Sequence, residues 1–304
     1  YDGSYGSLHC NFGQIPFTYT APSGYKAICT ANLTKPTDSS MWFYGNSPDF
    51  MWIKDRSRST SHSLSDSVRG YGLDSVSEGA TADYGHALVS DINKFGMTVT
   101  WDGANYRANY ASDNYVYWAW KGGGASVTNN NGSITSQVSA NPSAGFSVVS
   151  YTLNNSTFTV GHGLSAAPNF IMVKNRDTTN NWDVYHSSLG SGYRLVLNAT
   201  DAQYASTQVW NNTSPTSSVF SGNSAWWSSP STSKMIAYCW TAIPGYSAFG
   251  SYTANASTDG PFIYTGFRPR WIMIKRSDAI QEWVLLDTTR SPYNYTNEIG
   301  RAHV

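Results

Sequence analysis

The sequence predicts an all-β chain of tandem β-sandwich domains, jelly-roll or concanavalin-like, and three observations lead there. The first is residue choice. Of 304 residues only 12% are charged, against a usual share of roughly 25%, while 15% are aromatic, and glutamate occurs only as Glu78, Glu282 and Glu298. Ser, Thr, Asn, Gly and Tyr dominate, so helix formers are scarce and strand and turn formers plentiful. The second is a motif met three times: PDFMWIKDR (Pro48 to Arg56), PNFIMVKNR (Pro168 to Arg176) and PRWIMIKR (Pro269 to Arg276). The third is that the register holds beyond the motif, which composition alone does not produce.

In each copy a proline opens the run, an aromatic follows two residues later (Phe50, Phe170, Trp271), and a lysine closes it (Lys54, Lys174, Lys275). Proline fixes φ and lacks an N–H, which suits the first residue of a strand; an unbroken apolar run suits a strand buried on both faces. Eight residues after the lysines stand His62, Trp182 and Trp283, and twelve after stand Asp66, His186 and Asp287. Fifteen after, Arg69 and Arg290 agree and Leu189 departs. Asp66 with Arg69, and Asp287 with Arg290, are spaced to form an ion pair closing a turn. A second signature, VYWAW (Val116 to Trp120), recurs as IAYCW (Ile236 to Trp240), each ending 72 residues after its proline. The third unit has no copy of it. A period of about 100 residues is too long for a solenoid turn and fits tandem domains.

Residues 1–38 then read as the end of an upstream domain plus linker, 39–124 as an abbreviated first repeat, 125–144 as a polar link, 145–244 as the second repeat and 245–298 as a truncated third. Within the link, Asn131-Gly132 is a tight-turn signal that marks part of it as a hairpin rather than a tether. Residues 299–304, IGRAHV, read as a translated sequencing adapter and are set aside from the fold.

Two stretches carry a resemblance. NFGQIPFTYTAPSGYKAICTANL (Asn11 to Leu33) resembles the C-terminal end of a SPRY-like, concanavalin-type sandwich. The repeats, with SPDFMWIK, VGHGLSAAPNFIMVKNR, AYCWTAIPGYSAFGSYT and DGPFIYTGFRPRWIMIKR, resemble a domain family of virion and tail-fibre-like proteins of marine tailed phages. That resemblance implies a structural or appendage protein on the virion surface, extracellular, assembled with copies of itself and with other virion proteins. It implies no catalytic residue.

The residues themselves narrow the function classes. A formal net charge of zero gives nothing to steer nucleic acid or anionic membrane, and no run of 18 apolar residues spans a bilayer. No cofactor or metal is expected: Cys10, Cys29 and Cys239 lack ligand spacing and read as buried small hydrophobes, with a Cys10–Cys29 bridge left open. His162 and His186 read as structural histidines, and Ser188, His186 and Asp183 as a chance triad without a nucleophile elbow. The chain is therefore expected not to be an enzyme. The candidate binding residues are aromatic: Trp182 and Trp283, recurring at one register, and the consecutive Trp226-Trp227 in a Ser/Gly/Asn-rich loop, where strand neighbours face opposite ways and are hard to bury together. Such rings suit stacking on host-surface glycans, or packing at a subunit interface. A carbohydrate-binding adhesin is the first alternative. A glycan-degrading tailspike is the second; it needs two carboxylates in one cleft, for which Asp102 and Asp113 are the candidates.

Overall fold

A computed structural model describes residues 40–42, 47–86, 88–93, 96–100, 107–154, 156–227 and 232–290. The residues expected to end an upstream sandwich, Cys10 and Cys29, whose bridging was left open, and residues 299–304, expected to be adapter-derived, lie outside the described residues. The chain divides into two units, Tyr1–Ser40 and Met41–Val304, and the second carries all three repeats. The fold is all-β, as expected: nineteen strands and no helix occur among the described residues.

The first repeat supplies β1 (Ser40–Trp42), β2 (Phe50–Asp55), β3 (Ser63–Asp66), β4 (Ser75–Val76), β5 (Val89–Asn93), β6 (Gly96–Val99) and β7 (Tyr115–Trp120). The link supplies β8 (Val127–Asn129) and β9 (Ser136–Asn141), which pair with each other as the Asn-Gly signal suggests. The second repeat supplies β10 (Phe146–Thr152), β11 (Thr157–Gly161), β12 (Phe170–Asn175), β13 (Asp183–His186), β14 (Tyr193–Val196), β15 (Tyr204–Ala205), β16 (Val219–Asn223) and β17 (Lys234–Trp240). The third has β18 (Trp271–Ile274) and β19 (Val284–Asp287).

The proline-led motif is an inner strand of the sheet in the first two repeats and pairs with β19 in the third, and the shared pairings repeat residue for residue. Phe50 faces Asp66 on one side and Trp120 on the other. Phe170 faces His186 and Trp240. Trp271 faces Asp287. The sheets run β4-β3-β2-β7 in the first repeat and β15-β14-β13-β12-β17-β10-β9-β8 in the second, with β9 extending the sheet past β10.

Alternation along these strands builds three cores. On one face of β2, Met51 and Ile53 pack with Leu88, Val89, Met97 and Val99 of β5–β6 and the residue before them. On the matching face of β12, Ile171 and Val173 pack with Phe158, Val160 and Phe220 of the β11–β16 pair and with Trp210 and Trp227. Each full repeat thus has a private core under a second layer. The opposite faces meet in a third core shared by all three repeats: Phe50, Trp52 and Leu64 with Phe170, Met172 and Val184, and with Leu285 and the half-buried Met273. Ring contacts cross the repeats there, Phe50 to Tyr238 at 4.2 Å and Trp120 to Trp240 and Trp271 at 5.9 and 5.5 Å. Each such side chain, fully buried, contributes about 1.5–3 kcal/mol, so the repeats are fused through a common interior rather than strung as independent beads.

Candidate functional site

The recurring tryptophans and lysines lie at the seams between repeats. Lys174 Nζ donates to the Ala80 carbonyl at 2.9 Å, and Lys275 Nζ to the Thr200 carbonyl at 3.0 Å. The same two carbonyls accept the backbone N–H of Asn180 and of Gln281, each at 2.8 Å. Trp182 Nε1 donates to Val76 O and Trp283 Nε1 to Val196 O, both at 2.9 Å. Asp83 N–H reaches Arg176 O, and Gln203 N–H reaches Ser277 O. These four bonds of the first seam recur in the second at equivalent positions. A further pair of bonds closes the set: Tyr238 OH donates to Asp66 Oδ2 of the first repeat, and Trp118 Nε1, at the matching place in β7, donates to Asp287 Oδ2 of the third.

This corrects the expectation that Trp182 and Trp283 present faces to a ligand. They are 0% and 3% exposed, with their one polar atom bonded to the neighbouring repeat. Recurrence at one register was the signal that could have told this, since a shared seam repeats wherever the repeat does, whereas the carbonyl acceptors carry no mark in the sequence.

The Asp–Arg turns form as their spacing suggests. Asp66 Oδ1 accepts the N–H groups of Val68 and Arg69, and Asp66 Oδ2 accepts Arg69 Nε; Asp287 and Arg290 repeat this, down to the second guanidinium nitrogen bonding the carbonyls of Leu64 and Leu285. In the first repeat the pair grows into a buried network. Arg69 also binds Ser75 Oγ and Asp83 Oδ1, while Asp83 Oδ2 takes Arg176 Nε of the second repeat at 2.7 Å. Burial would raise the Asp83 carboxyl, but Arg69, Arg176 and Ser75 outweigh it and hold it below the ordinary carboxylate value. Beside it, burial pulls the Lys174 ammonium down to about 8, against the pull of Asp83 and Asp183.

Trp226 and Trp227 are brought together, contrary to the strand argument. They sit in a turn rather than a strand, so both indoles reach one atom: Trp226 Nε1 and Trp227 Nε1 donate to Asp183 Oδ2 at 2.9 and 2.6 Å. Trp227 is buried in the private core, where Gly222 is required, because a Cβ there would stand 2.5 Å from the Trp227 ring. Trp226 is half-buried, and the Arg194 guanidinium lies over its ring at 4.6 Å. Arg194 also lies over Tyr204 and bonds Asp183 Oδ1. The stacking face expected for a sugar is thus occupied by an arginine. Burial raises the Asp183 carboxyl, opposed by Arg194 and the two indoles.

The remaining candidates separate. Asp183 and His186 are three apart on β13, with Tyr185 facing the private core and Val184 the shared one, so the two fall on opposite faces and make no triad. His162 is buried, accepts Leu164 N–H and contacts Thr216 O, and burial lowers its imidazole. Cys239 is a free, fully buried thiol whose ionisation burial pushes far up. Asp113 pairs with Arg58, and Asp102 lies outside the described residues. Among the described residues no group of three or more His, Cys, Asp or Glu is placed to hold a metal ion.

Compared with known families, residues 21–303 match a domain of unknown function, DUF7483. The chain belongs to the DUF7483 family. One DUF7483 match spans all three repeats, the extent over which the shared core and both seams run. No curated protein and no solved structure matches the chain.

Proposed function

We propose that this DUF7483 chain is a non-enzymatic structural or appendage component of a tailed-phage particle, displayed on its surface for adhesion and assembled with copies of itself and with other virion proteins. The observation that carries the reading is the pair of seams. Identical bonds fuse successive repeats into one body, and Asp66, Asp83 and Asp183 are engaged in internal ion pairs, an economy suited to a rigid spacer rather than to chemistry on a substrate. The repeat motifs resemble those of virion proteins, which supplies the setting. No helix among the described residues is long and apolar enough to cross a membrane. Mass spectrometry of gradient-purified particles tests the proposal. Peptides around Lys174 and Trp240 are expected to co-sediment with intact particles; their confinement to a soluble or cell-envelope fraction would sink it.

A second reading, a glycan-binding adhesin, draws on the exposed rings of Tyr246, Phe262 and Tyr264, which stand among Asn, Ser, Thr and Asp residues. Glycan-array binding lost on Phe262→Ala with Tyr264→Ala, and kept on Trp226→Ala, would favour it over the first.

A further inference from the structure

The loop that joins β8 to β9 runs from Asn130 to Thr135 and lies against β11. Ser133 and Thr159 clasp each other there, Ser133 N–H donating to Thr159 Oγ1 and Thr159 N–H to Ser133 Oγ, each at 2.9 Å. Ile134, the next residue, donates its N–H to Thr159 O at 3.1 Å, bridges Val160 and is buried in the private core of the second repeat. Just before the clasp the chain passes so close to β11 that a Cβ on Gly132 would stand 2.2 Å from Thr159 O. Only a residue without a side chain fits there. The residue ahead of it is Asn131, and the two make the one Asn-Gly pair of the sequence.

The bonds that hold this loop pass over the Asn131 side chain. Asn129 Oδ1 accepts the Asn131 main-chain N–H, and Asn130 Oδ1 accepts the Thr135 hydroxyl. Asn131 itself is exposed. Among the described residues neither its side-chain amide nor the N–H of Gly132 has a hydrogen-bond partner. The other described asparagines that precede alanine or serine are held in place. Asn223 Oδ1 accepts Ala225 N–H, and the N–H of Ser224 is bound by Ser156 O. Asn198 accepts Trp182 N–H and donates to Asn181, while Asn255 donates to Asp259 O and accepts Ser257 N–H. At Asn131 alone among these, an uncommitted main-chain nitrogen stands next to a free, water-exposed carboxamide, with no side chain on the following residue to hold the two apart.

We propose that Asn131 is a site of spontaneous deamidation that unfastens the β8–β9 loop from β11. The Gly132 nitrogen attacks Asn131 Cγ. A new C–N bond forms as the Cγ–Nδ2 bond breaks, the Gly132 amide proton leaves with ammonia, and a succinimide ring closes. Water then opens the ring at one carbonyl or the other, giving aspartate, or isoaspartate in which the main chain runs through the former side chain and is longer by one carbon. Both products add a negative charge to a chain whose formal net charge is zero. Only isoaspartate displaces Gly132, which has no room to shift toward Thr159. The longer link therefore breaks the Ser133–Thr159 clasp and draws Ile134 out of the private core.

Peptide mass spectrometry on the full chain, aged in mildly alkaline buffer, tests the chemistry. A gain of one mass unit is expected at Asn131 ahead of Asn198, Asn223 and Asn255, with both aspartate and isoaspartate among the products. Amide hydrogen exchange on the separated isoaspartyl fraction tests the consequence. Exchange at Ser133, Ile134 and Thr159 is expected to be at least tenfold faster than in fresh chain, while Asn131→Asp, which has the same charge and no added carbon, keeps the fresh rates. Three results would overturn the proposal: Asn131 keeping its mass or changing no faster than the three held asparagines, aspartate forming without isoaspartate, or the isoaspartyl fraction exchanging at the same rates as Asn131→Asp.

Discussion

The seam between the first and second repeats and the seam between the second and third share four hydrogen bonds and differ in what surrounds them. At the first, Lys174 and Trp182 are 1% and 0% exposed, and the carboxylates of Asp66 and Asp83 are bound by Arg69 and Arg176. At the second, Lys275 is half-buried and the equivalent positions hold His186, Leu189, Gln203 and Ser277, none of which forms an ion pair among the described residues. The bonds common to both seams are therefore the minimum that docks one repeat on another. The charge network is an addition that the first seam carries and the second does without. Buried ion pairs contribute little net stability relative to apolar replacements, yet breaking one by half is costly.

That asymmetry fixes the order of expected effects. Arg69→Met leaves the buried Asp66 carboxylate without its ion-pair partner and Asp83 with Arg176 alone, and is expected to cost about 3–5 kcal/mol, whereas Arg290→Met, at a pair whose arginine side chain is 19% exposed, is expected to cost about 1 kcal/mol. Urea unfolding of the two variants measures the gap, and equal losses would break the comparison.

Lys174 gives the next effect through pH. Its pKa is about 8 folded against 10.5 unfolded. Below pH 8 the ammonium is charged in both states and the penalty of burying it is fully present. Between the two values the unfolded chain binds the proton and the folded chain does not, so stability rises with pH, by about 3 kcal/mol for such a shift. The rise is expected in the wild type and absent in Lys174→Met. If both gain equally between pH 8 and 10.5, the lysine is not the source.

Trimming the indole to a phenyl ring, which removes the N–H together with part of the ring, compares the seams more gently. Trp182→Phe is expected to cost about 1–3 kcal/mol through an unsatisfied Val76 carbonyl and the space the smaller ring leaves, and Trp283→Phe less, since water has easier access beside the half-covered third repeat. Thermal unfolding reads the difference. The smallest effect is expected from a transplant: His186→Asp with Leu189→Arg rebuilds in the second repeat the turn of the other two, and is expected to change stability by less than about 1 kcal/mol. A larger gain would show that the network, and not the four common bonds, sets seam strength.

Much of this architecture is legible in the residues. Proline, aromatic and lysine at fixed spacing mark the central strands, the 72-residue interval marks the strand that covers them, and Asp66 with Arg69 marks its own turn. The shared core was not legible, because an apolar run buried on both faces looks the same whether its second face meets its own layer or a sister repeat. Trp227 was misplaced because the strand rule was applied to a turn. The role of Asp183, receiving two indoles and an arginine, depends on three chain segments that only folding brings together.

The acceptors at the seams, Val76, Ala80, Val196 and Thr200, all contribute main-chain carbonyls. A carbonyl is present whatever side chain mutation places above it, so the receiving surface cannot easily be lost by point substitution, and only the lysine and the tryptophan of the arriving copy need be kept. Gene duplication of such a unit brings both the plug and a ready socket at once, which gives this sequence a simple route to growing longer.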